Sequence, residues 1–260
     1  MYQSSPLQMN VMTFNTGGFG WGRDHSRHPD FEKVKDFITA MIYDHSTDFI
    51  GLQEAYDVQE HHRMFASSRV GAVTYSNSHH SRHESLYIVH DANKWGAQNQ
   101  SRRYDIQSRH GGEKRPIFGC LFTQKFEPGH TVLVINAWLP HASYDDLRES
   151  VEKAVGNVYE EAVSALGAHP RGTIMTGDFN EFFSRRSGQG CVPIPLFTHR
   201  FGKVGDLQHA RTEHVPTLGD RTTDYVHFSS FSPLAARLGS RVPHHSVGSD
   251  HKPVLCTFNL

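Results

Sequence analysis

Polar residues that can bind a metal ion or move a proton recur in this sequence wherever a short apolar run begins or ends. Carboxylate and amide oxygens suit a hard divalent cation such as Mg²⁺, which keeps several of its waters and needs only one or two protein carboxylates. A histidine beside such a site can act as a general base toward a metal-polarised substrate. The residues in these positions are Asn15, Glu54, Asp178, Asn180, Asp224 and the adjacent pair Asp250 and His251.

Each of these residues borders a segment whose residue pattern predicts a β-strand. Asn15 closes MNVMTFN, Glu54 closes DFIGLQE, Asp178 follows TIMTG, Asp224 opens DYVHF and His251 precedes PVLCTF. Strand ends and the loops after them form the rim of a cleft in an α/β sandwich, so we expect the strands to bring these side chains together. One Asp or Asn alone could equally cap a helix or start a turn, and the prediction therefore depends on the whole set.

The remaining pattern predicts an α/β domain. PDFEKVKDFITAMIYDH and DDLRESVEKAVGNVYEEAVSALG carry apolar residues at helical spacing, the second with Asp145 as its cap and Gly167 as its stop. PIFGCLFTQKF and HTVLVINAWLP predict consecutive strands, and 182–221 predicts a loop-rich region with several prolines and glycines. No linker or repeat divides the chain, so we expect residues 8–260 to form a single catalytic domain.

Composition narrows the class of protein. The 260 residues are 37% hydrophobic and 20% charged with a formal net charge of −1, which indicates a globular protein without a global positive field. A metal ion in a cleft can still supply positive charge locally to a nucleic-acid substrate. Cys120, Cys191 and Cys256 are too few and too scattered for a disulfide framework. With no signal peptide and no long apolar segment, we expect an intracellular monomer that does not insert into membranes.

The motifs TFN, LQE, GDFN, TTDYV and SDHKP resemble those of the endonuclease/exonuclease/phosphatase superfamily, which has the deoxyribonuclease-I-like fold. Their order and strand context agree with the family over nearly the whole chain. The resemblance implies an α/β fold in the form of a four-layer α/β sandwich, with two mixed β-sheets packed face to face and helices outside. It also implies a Mg²⁺-dependent hydrolase acting on phosphoester bonds, with Mn²⁺ as the alternative metal.

Roles follow from the same resemblance. Glu54 would hold the metal, with Asp250 and Asn15 nearby. Asp178 and Asn180 would orient the attacking water and bind the scissile phosphate. His251 would take the proton or hold the phosphate, and Asp224 would fix its tautomer.

A second set of residues resembles the deoxyribonuclease-I-like branch. In HESLYIVHDANKW, Glu84 would support the catalytic histidine, and in KRPIFGCLF, Arg115 would contact phosphate through its planar fork. The structural alternative for Arg115 is a surface arginine ahead of an edge strand.

The sequence departs from the family in VINAWLPHAS. The family has Asn-x-His-Leu here, its histidine aiding the leaving group, whereas this chain has Trp138 in the histidine slot and His141 three residues later. The abasic-site endonuclease branch also carries an aromatic residue in this slot. We expect His141 to contribute to phosphate binding, the alternative being that the metal alone stabilises the leaving oxygen. Trp138 is expected to line the cleft beside the phosphate, the alternative being that it fills the core.

Three functions are compatible with these residues. The first is a phosphodiesterase acting on nucleic acid as a nuclease, with Phe19 and Trp21 of GGFGWG stacking a base and with arginines tracking the backbone. The second is a lipid or small-molecule phosphatase or phosphodiesterase, such as a phosphoinositide phosphatase or a sphingomyelinase-like enzyme. The third is a binding module without activity, which the intact acidic set disfavours. DNA or RNA, and endo or exo action, stay open. The arginines are Arg82, Arg102, Arg103 and Arg115.

Overall fold

The computed structural model describes residues 8–17, 31–55, 69–75, 86–180, 184–187, 190–193, 198–200, 206–209, 223–230, 236–241, 249 and 251–259. In chain order the elements are β1 Gln8–Asn15, α1 Phe31–Tyr43, β2 Phe49–Gln53, β3 Val70–Thr74, β4 Tyr87–Asp91, β5 Trp95–Gln100, β6 Tyr104–Gln107, β7 Lys114–Gln124, β8 Thr131–Trp138, α2 Tyr144–Leu166, β9 Gly172–Asp178, β10 Ser184–Ser187, β11 Gly190–Pro193, β12 Thr198–Arg200, β13 Asp206–His209, β14 Asp224–Ser230, β15 Ala236–Arg241 and β16 Val254–Asn259.

The first sheet is six-stranded and mixed, in the order β15-β16-β1-β2-β4-β3. β1 and β2 are parallel with Asn15 opposite Gln53, so Asn15 and Glu54, the residue after β2, arrive at the same end of the sheet. β16 runs antiparallel to β1, with Val254 opposite Thr13. His251, which precedes β16, therefore reaches that end as well.

The second sheet is eight-stranded, in the order β12-β13-β14-β9-β8-β7-β5, with β6 pairing β7. β8 and β9 are parallel, and Trp138 lies opposite Asp178. β14 is antiparallel to β9, which places Asp224 opposite Asp178. One end of this sheet thus carries Trp138, Asp178 and Asp224 together.

Alternation of side chains along the strands creates the layers. Met9 and Val11 of β1 belong to the core between the two sheets, whereas Met12 and Phe14 pack with α1 on the outer face. The outer face of the second sheet is covered by the buried stripe of α2. The order α1, first sheet, second sheet, α2 confirms the predicted four-layer sandwich. No helix in the described part of the chain is both long and apolar enough to cross a membrane.

A buried polar network joins the two sheets below the strand ends. The Asn136 amide of β8 donates to Leu52 O at 2.8 Å, and its Oδ1 accepts from Gln53 Nε2 at 2.6 Å and from Thr176 Oγ1 at 3.2 Å. A Cβ on Gly51 of β2 would overlap the Thr176 hydroxyl, so only glycine permits this approach of the sheets. The network fixes the offset between the sheets, and hence between the residues at their ends.

The described residues of the stretch 182–221 form the short strands β10 to β13, and the rest of the predicted loop-rich region lies outside the described residues. Polar strands such as Thr198–Arg200 carry no apolar alternation that would reveal them. The predicted cap of α2 was wrong: Ser143, with an extended backbone and no side-chain capping bond, occupies the N-cap position, and Asp145 lies within the first turn. An acidic residue there interacts favourably with the helix dipole without capping. The predicted stop is confirmed, since Gly167 has φ 70° and its N–H donates to Val163 O.

Candidate active site

Asn15 connects the ends of the two sheets. Its Nδ2 donates to Glu54 Oε1 at 3.0 Å and to Asp178 Oδ2 at 2.8 Å, while its Oδ1 accepts from the Gly17 N–H at 2.9 Å. The side chain is fully buried, so these bonds satisfy an amide that would otherwise be costly to bury. Asn15 therefore holds two carboxylates of different sheets at a common point.

Glu54 stands on a backbone that its neighbours constrain. Its φ of 51° lies in the left-handed region, which costs on the order of 1–3 kcal/mol for a non-glycine residue. Thr16 stabilises the turn, because its Oγ1 donates to both Gln53 O and Glu54 O at 3.1 Å. The turn leaves the half-buried Glu54 carboxylate beside Asn15.

His251 and Asp224 form a buried pair. His251 Nδ1 lies 2.9 Å from Asp224 Oδ2, and the same carboxylate oxygen accepts from Thr223 Oγ1 at 2.9 Å. Ser249 holds the histidine from the other side, since its Oγ donates to Asn15 O and accepts from the His251 N–H. Because a carboxylate can only accept a hydrogen bond, this contact favours the tautomer that carries the proton on Nδ1.

Asp178 lies between the two groups. Burial, followed by the negative charge of Asp224, raises the pKa of Asp178 to about 7, and His251 together with hydrogen bonds from Asn180 and Asn15 opposes that rise. The Asn180 N–H donates to Asp178 Oδ1 at 2.9 Å, and Asn180 Nδ2 donates to Leu139 O at 2.7 Å. Asn180 has φ 47°, so this turn after β9 is also strained.

In the metal-free protein, the stability of Asp178→Asn relative to wild type is expected to increase as pH rises from 4 to 8. The folded pKa of about 7 exceeds the ordinary 3.8, so between these values only the native state holds the proton, and wild-type stability falls as pH rises through this window. Asparagine does not titrate. Melting temperatures in EDTA across this range measure the difference. Asp145→Asn, on the exposed start of α2, is the control, and a difference independent of pH would contradict the prediction.

The donor set fits a hard divalent cation. Ligand atoms of Asp178, Asp224 and His251 lie within 4.8 Å of one another, and Asn15 adds Glu54 to the group. Positive charge among these carboxylates would offset the burial and the negative charge of Asp224, which together raise the pKa of Asp178. Because Nδ1 of His251 is bonded to Asp224 and Mg²⁺ takes oxygen ligands, the carboxylates suit the cation better than the imidazole does.

The flank of the site at β7 and β8 contains the other predicted residues that the structure describes. Trp138 is 5% exposed and belongs to the core between the sheets. The guanidinium carbon of Arg115 lies 3.2 Å from the centroid of the Trp138 ring. His141 is exposed in the turn after β8, on the same end of the sheet.

Several predicted residues are not brought to this site. Arg102 and Arg103 precede β6 and lie beside the middle of β7, where they pair with Glu161 and Asp105 respectively. Other predicted positions lie outside the described residues. These are Asp250, Glu84, Phe19, Trp21 and Arg82.

Sequence reasoning did not assign roles to the hydroxyl residues that hold the site. Thr16, Thr223 and Ser249 each stand within two residues of a predicted site residue. Thr223 and Ser249 bond to that neighbour, whereas Thr16, which follows Asn15, bonds to the backbone of the distant Glu54. In the sequence, only their position next to a site residue could have indicated these supporting roles. A hydroxyl can make many local hydrogen bonds, and which partner it takes depends on the fold.

Solved structures with the same fold extend over the whole chain. The catalytic domain of human Nocturnin with bound sulfate is 14% identical with a TM-score of 0.69, covering 98% of this chain and 96% of its own. The mannosyl-6-phosphatase Bt3783 of Bacteroides thetaiotaomicron is 17% identical with a TM-score of 0.68, covering 97% and 100%. An endonuclease/exonuclease/phosphatase from Bacteroides vulgatus is 14% identical with a TM-score of 0.67, covering 98% and 99%. At these identities the likeness shows the fold.

Sequence comparison identifies the family. Comparison with curated proteins gives no significant match. The model of the Endonuclease/Exonuclease/phosphatase family matches residues 12–251, a span that begins in β1 and ends at the histidine paired with Asp224. The match and the fold confirm the resemblance seen in the motifs: this chain belongs to the endonuclease/exonuclease/phosphatase family.

Proposed function

We propose that this protein is a divalent-metal-dependent phosphodiesterase that hydrolyses nucleic acid. The observation that carries the proposal is the buried cluster of Asp178, Asp224 and His251, joined through Asn15 to Glu54 at the common end of both sheets. Endonucleases, exonucleases and phosphatases all hydrolyse phosphoester bonds, so the family supports this class of reaction. We further propose that residues 8–260 act as one catalytic domain.

His251 is the proposed general base. With the Nδ1 proton donated to Asp224, the lone pair of the neutral ring is on Nε2, which can accept a proton from the attacking water. Asp224 would then stabilise the imidazolium, and Thr223 keeps that carboxylate in place. Glu84 is proposed as a further support of the histidine on the family resemblance alone.

Asp178 and Asn180 are proposed to orient the water and bind the scissile phosphate. Both are buried, and the Asn180 side chain is held by its bond to Leu139 O. Donors fixed before the reaction stabilise charge on the phosphate without reorganisation. His141, exposed on the adjacent turn, is the proposed additional contact to phosphate.

Glu54, with Asn15 and Asp250, is the proposed set of metal-holding residues. When bound, a divalent ion such as Mg²⁺ supplies Lewis acidity that withdraws charge from a phosphate oxygen. Asn15 orients the Glu54 carboxylate, and the Thr16 hydroxyl stabilises the strained turn beneath it.

Nucleic acid is favoured as the substrate by the charge of the site's flank. β7 begins with Lys114 and Arg115, and the turn before it carries the exposed Arg109 and His110, all at the end of the sheet that holds the site. Among these residues Arg109, Lys114 and Arg115 are cations that can follow an extended phosphate backbone. In contrast, the most exposed large apolar residue described, Phe126, is 81% exposed and lies beyond the opposite end of β7. It does not offer a lipid contact beside the site.

A substrate panel tests the proposal. Supercoiled plasmid, single-stranded DNA, RNA, a phosphoinositide and mannose 6-phosphate are incubated with Mg²⁺ or with EDTA. Mannose 6-phosphate is included because a structure of the same fold is a mannosyl-6-phosphatase. We expect a nucleic acid to be cleaved with Mg²⁺ only, and His251→Ala to show that the activity belongs to this site. Turnover of only the phosphoinositide or the sugar phosphate would contradict nucleic acid as the substrate.

A further inference from the structure

The last residue of β8 is a tryptophan where the family carries a histidine. Trp138 lies opposite Asp178 in the parallel pairing of β8 and β9, so its backbone position is beside the buried carboxylate. Its side chain turns inward, contributing to the core between the sheets. Because only 5% of the residue is exposed, stacking a nucleobase on this ring would require a neighbour to move.

The neighbour on this ring is Arg115. Its guanidinium carbon lies 3.2 Å from the ring centroid, well inside the distance at which a cation is attracted to an indole face. One terminal nitrogen, Nη2, pairs with Glu113 Oε1 at 2.7 Å, and the side chain is 11% exposed. Arg115 Nε is buried, and no described residue accepts a hydrogen bond from it. The guanidinium is therefore held in place with donor capacity that the described residues do not use.

The strand order places this cation at the site. β7 runs antiparallel to β8 with Ile117 opposite Ala137, so Arg115 lies at the end of the sheet where β8 and β9 terminate. A planar guanidinium that already rests on an indole has lost most of its conformational freedom before a phosphate arrives. Binding the phosphate therefore costs little additional side-chain entropy. The guanidinium of Arg115 is therefore pre-organised at the end of the sheet that carries Asp178 and Asp224.

We propose that Trp138 and Arg115 act as one unit, in which Trp138 is a positioning residue and Arg115 is the cation that contacts the phosphate and its leaving oxygen. This inference rests on the proposed phosphodiesterase function. The positive charge of Arg115 takes over the assistance to the leaving group that a histidine in the Trp138 position provides in the family. The oxygen of the attacking water forms the new P–O bond while its proton goes to His251. As the other P–O bond breaks, the leaving oxygen takes both bonding electrons and Arg115 stabilises the resulting charge. A second water then protonates the leaving oxygen, and the hydroxide that remains takes up the proton held by His251.

The pH dependence of kcat distinguishes this unit from a histidine acid. A guanidinium stays protonated throughout the accessible range, whereas an imidazolium that donates a proton is lost as pH rises above its pKa. With Arg115 in this role, kcat shows no fall toward alkaline pH that depends on His141. A fall of kcat at alkaline pH that disappears in His141→Ala would overturn the proposal in favour of His141 as the acid.

The experiment is a double-mutant cycle on the nucleic-acid substrate of the panel. Arg115→Ala is expected to lower kcat by roughly 10²-fold, as removal of one charge-stabilising donor does in other enzymes. Trp138→Leu fills part of the core without an aromatic face. This variant is expected to lower kcat by about 10-fold, because Arg115 then loses the ring that holds its guanidinium in place. Trp138→Phe should restore most of that loss, because its ring still supports the cation. The double variant should be no slower than Arg115→Ala alone.

Controls separate this role from simple folding. Arg148 also lies over an aromatic ring, that of Tyr144, but on the exposed start of α2, so Arg148→Ala should leave kcat unchanged. Circular dichroism and melting curves give the folded fraction to which each kcat is referred. Guanidinium ion at a non-denaturing concentration should partly rescue Arg115→Ala and not His251→Ala, a readout that a purely structural arginine would not produce.

The outcomes are distinct. Full activity in Arg115→Ala, or losses in the two single variants that multiply in the double variant, would overturn the unit while leaving the phosphodiesterase proposal intact. A wild-type protein inactive on every substrate, with or without metal, would instead overturn the proposed function.

Discussion

Glu54→Gln should abolish most of the activity, by roughly 10³-fold, since metal catalysis supplies several kcal/mol and each 1.36 kcal/mol is a factor of ten. Glutamine keeps the oxygen that accepts from Asn15 Nδ2, so the turn and the fold should survive. Loss of one negative charge beside Asp178 should leave the melting temperature equal or higher, because like charges in the cluster repel.

Metal binding and activity are measured together for this variant. Calorimetric titration with Mg²⁺ and with Mn²⁺ should show weaker binding to Glu54→Gln than to wild type. Glu149→Gln, on the exposed face of α2, is the matched control and should bind and cleave like wild type. Wild-type activity in EDTA, or unchanged metal affinity in Glu54→Gln, would show that this carboxylate does not hold a required ion. Affinity lost in His251→Ala instead would assign the ion to the Asp178, Asp224 and His251 set.

His251→Ala should reduce kcat by about 10²–10⁴-fold, the range typical of a positioned general base. Asp224→Asn should lose nearly as much, because the carboxylate that fixes the Nδ1 proton becomes an amide able to present a donor to it. The double variant should be little slower than His251→Ala, since the two residues act as a unit. Asp224 is fully buried, and asparagine preserves its volume.

Rates for the three variants are compared at a pH where the wild type is at its maximum, with folding checked by melting curves. His45→Ala, an exposed histidine after α1, controls for the substitution itself. If the two losses multiply, Asp224 serves the substrate or the metal separately from His251. If Asp224→Asn is fully active, its pairing with the imidazole has only a structural role.

The regular elements could be predicted because burial imposes a period on the sequence. β1 and α2 were evident from alternation and from a helical stripe, and both lie where those patterns placed them. Short polar strands such as β10 and β12 could not be predicted, since their pairing depends on backbone bonds to partners distant in sequence. The N-cap position of α2 could not be predicted either. Ser143 and Asp145 are both residue types that suit a cap, and the path of the preceding turn decided which of them occupies that position.

By itself the sequence determined the family and, through the family, the layered fold, because the motifs that carry the resemblance stand at the ends of segments whose local pattern predicts strands. The tertiary structure decided which atoms meet. Asn15 reaches carboxylates of both sheets only because the sheets are stacked with one offset. Trp138 turns into the core under Arg115 because neighbouring strands bring the two together and an indole favours burial over water. Long-range geometry of this kind has no signature in the spacing of residues along the chain.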